Sequence, residues 1–269
     1  MVTDVVEAKV QMMAQISELA ERASGPVEVV GLSGGYDSTA MALRLEEVEP
    51  ASAADRWFIC TPTGDELPAM MLHWRRLELA LGCPIHRLKW ATLDAWVEHW
   101  NAVPNQRMRW CARKLKLEPW KALFAKLPEG SLSVVGLRAD EPERTGIVGD
   151  MAVRYPLREW GWRRGDVVDY VRLRGVEPPP RTDCARCPFQ RLGEWWSLWS
   201  DHPDIFEHAA AQERACGHTF RSAHRDSWPA SLDDMGSLFA AGHRPRGAGQ
   251  MELFRMDAEA ESACRVCRL

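Results

Sequence analysis

Val27-Glu28-Val29-Val30-Gly31-Leu32-Ser33-Gly34-Gly35-Tyr36-Asp37-Ser38-Thr39 decides how the rest of the chain is read. Val27, Val29, Val30 and Leu32 form a β-branched, apolar run of the kind that fills a buried strand. Ser33-Gly34-Gly35 cannot prolong it, because two consecutive glycines open backbone angles closed to other residues. Ser38 to Leu45 then has helical composition and spacing. A strand, a glycine turn and a helix start leave backbone N–H groups converging on one point, which is a ready anion site. Ser33 and Ser38 add hydroxyls, and Gly34 and Gly35 let a phosphate approach the backbone. Asp37 would repel that phosphate unless Mg²⁺ lies between them. The stretch asks for a nucleotide with magnesium; its plain alternative is a β-α turn with glycines for geometry alone.

The chain on either side continues the alternation. Val6, Val10, Met13, Ile16 and Leu19 mark an N-terminal helix in residues 1–26, closed by Ser24-Gly25-Pro26. Asp55 to Thr61 reads as a second strand, followed by a turn at Thr63-Gly64-Asp65-Glu66 and a helix from Ala69 to about Leu81. A strand at Ile85 to Leu88, a helix near Leu93 to Trp100 and a strand around Ser133 to Leu137 follow. Alternating strands and helices predict an α/β fold with a parallel sheet. Its ligand belongs outside the carboxyl ends of the strands, where the Ser33 and Thr63 turns fall. Arg138 and Arg144 leave the fourth strand at that same rim, where guanidinium groups can hold phosphates or pair with Glu141 and Glu143.

The chain has 269 residues, a net charge of −4 and 27% charged residues, so no global basic field announces a polyanion partner. Basic residues are clustered instead, at Arg107 to Lys116, Arg154 to Arg174 and Arg181 to Arg191. The N-terminus carries Asp4 and Glu7 and no long apolar run, which predicts no membrane span and an intracellular, cytoplasmic protein. In that setting eight cysteines read as core residues, metal ligands or redox groups rather than disulfides. Thirteen tryptophans read as packing.

Cys184-Ala185-Arg186-Cys187 is the second informative motif. Its spacing lets two thiolates reach one metal, tetrahedral Zn²⁺ or an iron–sulfur cluster. Cys111, Cys216, Cys264 and Cys267 are the candidates for further ligands. Cys111 lies in an arginine-rich run that either stabilises a thiolate or forms a solvated basic face over a buried thiol. His202, His208, His218 and His224 have no metal spacing. Pro178-Pro179-Pro180 enforces an extended link before the cysteines, and Gly242 to Gly249 reads as a linker to the tail. The expected divisions are residues 1–26, a nucleotide-binding part at 27–180, a helical, cysteine-containing part at 181–240 and a tail at 241–269.

Ser33-Gly34-Gly35-Tyr36-Asp37-Ser38 resembles the pyrophosphate loop of the ATP pyrophosphatase superfamily, with its Rossmann-like adenine nucleotide alpha hydrolase fold. It lacks the Lys-Ser/Thr pair of the other common phosphate loop. Thr63-Gly64-Asp65-Glu66, the strand ending in Gly136-Leu137-Arg138, and Pro156-Leu157 before a helix at about Arg164 to Arg174 resemble the phosphoadenylyl-sulfate (PAPS) reductase-like branch. The resemblance covers about Val27 to Phe206. It implies ATP and Mg²⁺ at Ser33, Gly34, Gly35, Asp37, Ser38, Thr63, Gly64, Glu66, Gly136, Arg138 and Arg144, with Ser33, Asp37, Arg138 and Cys111 catalytic.

Trp110-Cys111, Cys184 and Cys187 lie where that branch carries cluster ligands, with Cys216 available as a fourth. This implies a 4Fe-4S cluster, Zn²⁺ being the structural alternative. The implied activity is ATP-dependent adenylylation of a nucleic-acid or small-molecule substrate, releasing pyrophosphate, followed by sulfur transfer. Partners would be an adenine nucleotide, DNA or tRNA, and a sulfur donor such as a cysteine desulfurase; an oligomer is compatible with all of this. Two departures separate the chain from the sulfonucleotide reductases: its loop is intact, and its tail lacks their Glu-Cys-Gly-Leu-His. A PAPS or adenylyl-sulfate reductase, and a non-catalytic nucleotide-binding module with structural zinc, are the rival readings.

Overall fold

A computed structural model describes residues 5–51, 55–145, 151–223 and 226–246. The elements follow in the order α1 (Val5–Ala20), β1 (Glu28–Gly31), α2 (Tyr36–Val48), β2 (Arg56–Cys60), α3 (Pro68–Leu81), β3 (Ile85–Arg87) and α4 (Leu93–Trp100). Then α5 (Trp110–Ala112), a π-helical turn (Arg113–Leu117) and α6 (Glu118–Phe124) run on without a break. The chain continues through β4 (Leu132–Val134), β5 (Val153–Arg154), α7 (Pro156–Glu159), α8 (Arg164–Leu173), α9 (Leu192–Asp201), α10 (Pro203–Cys216) and α11 (Leu232–Ala240).

The five strands form one sheet in the order β3-β2-β1-β4-β5, and every pairing is parallel. The expected parallel α/β architecture is what the chain adopts. Strand residues alternate between two cores, as a period of two requires. Val29, Trp57 and Ile59 face one core with α1, α4, α6 and the C-terminal helices α9–α11. Val30, Phe58, Cys60 and Val134 face the other with α2, α3 and α8. Sheet order reverses between β1 and β4, so the crevice between their carboxyl ends is the switch point of the topology.

The amino-terminal rim of the sheet is closed by charge. Arg56, 6% exposed, donates to Glu28 at 2.6 and 2.8 Å, to Glu46 at 2.9 Å and to the Glu49 carbonyl at 2.7 Å. Arg154 of β5 joins Glu28, Glu49 and Glu159. This end is knitted to itself, which leaves the carboxyl rim for ligands.

Most tryptophans pack, as expected. Trp90, Trp96, Trp100 and Trp110 form a chain of ring contacts at 4.6 to 5.3 Å. In the part expected to be helical, α10 runs from Pro203 to Cys216 and buries Phe206, Ala209, Ala210 and Glu213. Among the described residues no helix is long and apolar enough to cross a membrane.

Candidate functional site

Four segments meet at the carboxyl rim of the sheet. The first is the loop leaving β1. Gly34 has φ +84°, a left-handed conformation that favours glycine. A Cβ there would stand 1.8 Å from Met70 Cε and 2.9 Å from Trp74 Nε1, so helix α3 packs directly under the loop. Ser38, 6% exposed, accepts from Gly34 N–H at 3.2 Å and donates to the Gly35 carbonyl at 3.2 Å. Ser33 Oγ accepts from Gly35 N–H at 3.3 Å and lies 3.1 Å from Ser38 Oγ. The two serines therefore shape the loop. No side chain caps the start of α2 at Gly35, and its dipole faces the rim.

The second segment leaves β4. A Cβ on Gly136 would come within 3.1 Å of the Asp37 carbonyl and Ser38 N, so β4 ends against the first turn of α2. Beyond it Arg138, buried, binds both Asp37 carboxylate oxygens from one nitrogen, at 2.8 and 3.0 Å. Its Nε donates to Asp140 at 2.9 Å, and Glu141 lies 3.5 Å from its far nitrogen. Arg144 pairs with Glu141 at 2.9 Å. Burial pushes the Asp37 carboxyl up, and the Arg138 guanidinium opposes that shift. Asp37 and Arg138, expected to serve magnesium and phosphate separately, are paired with each other.

The third segment is the turn after β2. Glu66 folds back on it and accepts from Thr63 N–H at 2.6 Å, Thr63 Oγ1 at 2.8 Å and Gly64 N–H at 2.9 Å. Gly64, at φ +75°, has no room for a Cβ, which would meet Thr92 Cγ2 at 2.7 Å. Glu66 thus holds the turn that carries Thr63 and Asp65.

The fourth segment is the strap Arg181 to Cys187. Cys184 Sγ lies 3.2 Å from Thr63 Oγ1, whose proton is taken by Glu66. Cys187 packs with Ala112, Cys184 and Phe189. Burial pushes the Cys184 thiol up to about 12 and the Cys187 thiol well above its usual range, so both are protonated at neutral pH. Cys111 neighbours Ala112 in sequence but packs, like Cys216, against the larger core. Burial also raises its thiol, against the lowering effect of Lys116 and Arg109.

Among the described residues no three His, Cys, Asp or Glu side chains converge so as to hold a metal ion. Cys184 and Cys187 come together at the rim, while Cys111 and Cys216 pack against the larger core. Cys264 and Cys267 lie outside the described residues.

A buried network missed from sequence fixes the strap. Arg186, 3% exposed, donates from Nε to Asp65 at 2.6 Å and from its backbone N–H to the same carboxylate at 2.8 Å. Its far nitrogen reaches Asp94 at 2.6 Å and Gln212 at 2.7 Å. Asp94 also accepts from Gln212 and meets His208 at 3.0 Å. An arginine inside Cys-x-x-Cys, beside Ala185 and Pro188, was the available signal; its acidic partners were not.

Fold and site together define a parallel α/β protein with a serine–glycine loop at the switch point of its sheet. No family model matches the chain, nor does any curated protein sequence. Among the solved structures similar to it at low identity, three differ in the chemistry their names state. They are a phosphoadenylyl-sulfate (PAPS) reductase from Candida auris in a phosphate complex (15% identity, 61% of this chain and 81% of that one, TM-score 0.46); an NH3-dependent NAD synthetase from Campylobacter jejuni with nitrate (14%, 90% and 98%, 0.41); and the U34-tRNA thiolase NcsA from Methanococcus maripaludis with its 4Fe-4S cluster (13%, 86% and 87%, 0.42).

Proposed function

We propose that the protein is an ATP-dependent enzyme that adenylylates an acceptor oxygen, releases pyrophosphate and then exchanges AMP for sulfur. The observation that carries the first half is the Ser33–Ser38 loop. Its hydroxyls take the Gly34 and Gly35 N–H groups and set the loop at the start of α2 and against Gly136, where a phosphate oxygen would replace them as acceptor. ATP enters as substrate, with its β and γ phosphates at this loop and its α phosphate toward Arg138 and Thr63. Magnesium typically takes one or two protein carboxylates together with phosphate oxygens. Asp37 fits that role once Arg138 turns from it to the reacting phosphate, and the ion would neutralise the leaving pyrophosphate.

In this reading Arg138 is shared. It pairs with Asp37 and, once ATP is bound, stabilises charge at the α phosphate as the acceptor attacks. Arg144 keeps Glu141 engaged, which limits the acidic competition for Arg138. The acceptor is a carbonyl or phosphate oxygen. DNA or tRNA is favoured by the face beside the strap, where Arg107, Met108 and Arg113 are exposed and Trp100 stands edge-on to Trp110 at 5.0 Å. Cationic and aromatic side chains in alternation suit a single-stranded nucleic acid.

For the sulfur step, a persulfide donor such as a cysteine desulfurase would pass its outer sulfur to Cys184, and that sulfur would displace AMP from the activated acceptor, leaving the acceptor joined to Cys184 by a disulfide. The Cys187 thiol, which packs beside Cys184, would cleave that bond and release the thiolated product, and an external thiol reductant would return the Cys184–Cys187 disulfide to the dithiol. Binding of a fluorescent ATP analogue tests the nucleotide reading. Wild type should bind in the presence of magnesium, and Ser33→Ala with Ser38→Ala should weaken binding at least about tenfold, the loss of two good hydrogen bonds. No binding by the wild-type protein would overturn the proposal.

A further inference from the structure

The strap Arg181 to Cys187 lies against the anion loop. A Cβ built on Gly35 would stand 3.7 Å from Thr182 Oγ1, which brings this half-buried hydroxyl beside the start of α2. Two residues on, Cys184 Sγ lies 3.2 Å from Thr63 Oγ1, over the neighbouring turn of the same rim. The strap thus touches both ligand-facing turns, one with a hydroxyl and one with a thiol.

What keeps it there is concentrated at Arg186. The Asp65 carboxylate takes two bonds from Arg186, and the Asp65 carbonyl takes the Ala185 N–H at 2.7 Å. From the other side Arg186 is held by Asp94 at the start of α4 and by Gln212 in α10. Arg181 closes the strap on itself, donating to the Cys184 and Ala185 carbonyls at 2.7 and 2.9 Å. A guanidinium 3% exposed between two carboxylates is costly to disturb, since removing one partner leaves the others buried and uncompensated. Neither Thr182 nor Arg186 is needed by the loop's own hydrogen bonds, so their placement calls for a reason in the ligand.

We propose that the strap is the second wall of the nucleotide site, with Thr182 a phosphate-binding residue on it and Arg186 the positioning residue that sets it in place. This rests on the nucleotide reading above and deepens it. Thr182 donates its hydroxyl to a phosphate oxygen opposite the α2 terminus. Arg186 never touches the nucleotide; it fixes the distance between Thr182, Cys184 and the loop. The same anchor keeps Cys184 closed in beneath Thr63.

The test combines nucleotide binding with thiol alkylation in the full-length protein. Thr182→Val should weaken binding of the ATP analogue about tenfold, whereas Thr182→Ser retains it. Arg186→Met should weaken binding to a similar degree and speed alkylation of Cys184, read by mass spectrometry of its peptide, at least about tenfold. Arg186→Lys, which keeps the charge, should fall between and guards against a methionine variant that does not fold. The double variant Arg186→Lys/Thr182→Val should bind no more weakly than Thr182→Val alone, because displacing the strap and removing its hydroxyl lose the same contact. Additive losses, or unchanged alkylation in both Arg186 variants, would overturn the positioning role while ATP binding by wild type still stood. Failure of the wild-type protein to bind would overturn both readings.

Discussion

Substituting Gly34 by alanine tests whether the loop has the shape on which the functional reading depends. Two costs arise from the structure. At φ +84° an L residue is disfavoured by about 1–2 kcal/mol. The new methyl would also stand 1.8 Å from Met70 Cε, and Met70 is 1% exposed with little room to retreat. Overpacking of this kind costs about 1–3 kcal/mol. The sum is about 2–5 kcal/mol, or a fall in Tm on the order of 5–15 °C for a chain of this size. Met70→Ala alone should cost about 2–5 kcal/mol by leaving a cavity. Together the two should cost about 1–3 kcal/mol less than their sum, since the alanine methyl then occupies vacated space while the backbone cost persists. Urea unfolding followed by tryptophan fluorescence measures the cycle. Losses that add within about 0.5 kcal/mol would refute the contact, and with it the packed position of the loop over α3.

Other outcomes follow from the same geometry. Arg138→Met leaves Asp37 buried and unpaired, so it should destabilise by about 3–5 kcal/mol, and Asp37→Asn in the same chain should recover part of that loss in thermal unfolding. Glu213 is held by the Phe220 and Leu232 N–H groups, and burial raises its carboxyl from 4.5 to about 7. Between those pH values the folded state binds the extra proton, so stability falls as pH rises, by up to about 3 kcal/mol in all. Relative to wild type, Glu213→Gln should therefore look several degrees better at pH 8 than at pH 5; a difference independent of pH would refute it. His73, buried beside Thr39 and lowered to about 4, acts in the other direction: its contribution is present above pH 6.5 and is lost as pH falls toward 4. His73→Gln should flatten that acid limb. The sulfur step proposed for Cys184 and Cys187 needs no metal on them, so anaerobic purification with iron, sulfide and zinc assays should find none; a brown chromophore lost in Cys184→Ala would overturn that step and support the four-cysteine set.

The centre of the fold was legible because its signals are local. β-branched residues at 27–32, a glycine pair and a helical run specify β1, the loop and α2 with no help from the rest of the chain. The helix near Leu93 to Trp100 is likewise local in its signal. β5, two residues long, is too short to carry a period. Pairing of Arg186 with Asp65 spans 121 residues, and nothing in either motif names its partner. Asp37 and Arg138 were each legible as rim residues, but not as a pair, because that depends on how closely β4 approaches α2 at Gly136. The cysteine set drawn from family resemblance joined residues that this backbone places in different clusters.

The most direct test of the central claim is the identity of the products from radiolabelled ATP with Mg²⁺ and candidate DNA, tRNA or small acceptors. The account predicts AMP and pyrophosphate in equal amounts, dependent on an acceptor and abolished by Ser33→Ala/Ser38→Ala. ADP and inorganic phosphate, or AMP formation that survives those substitutions, would contradict it.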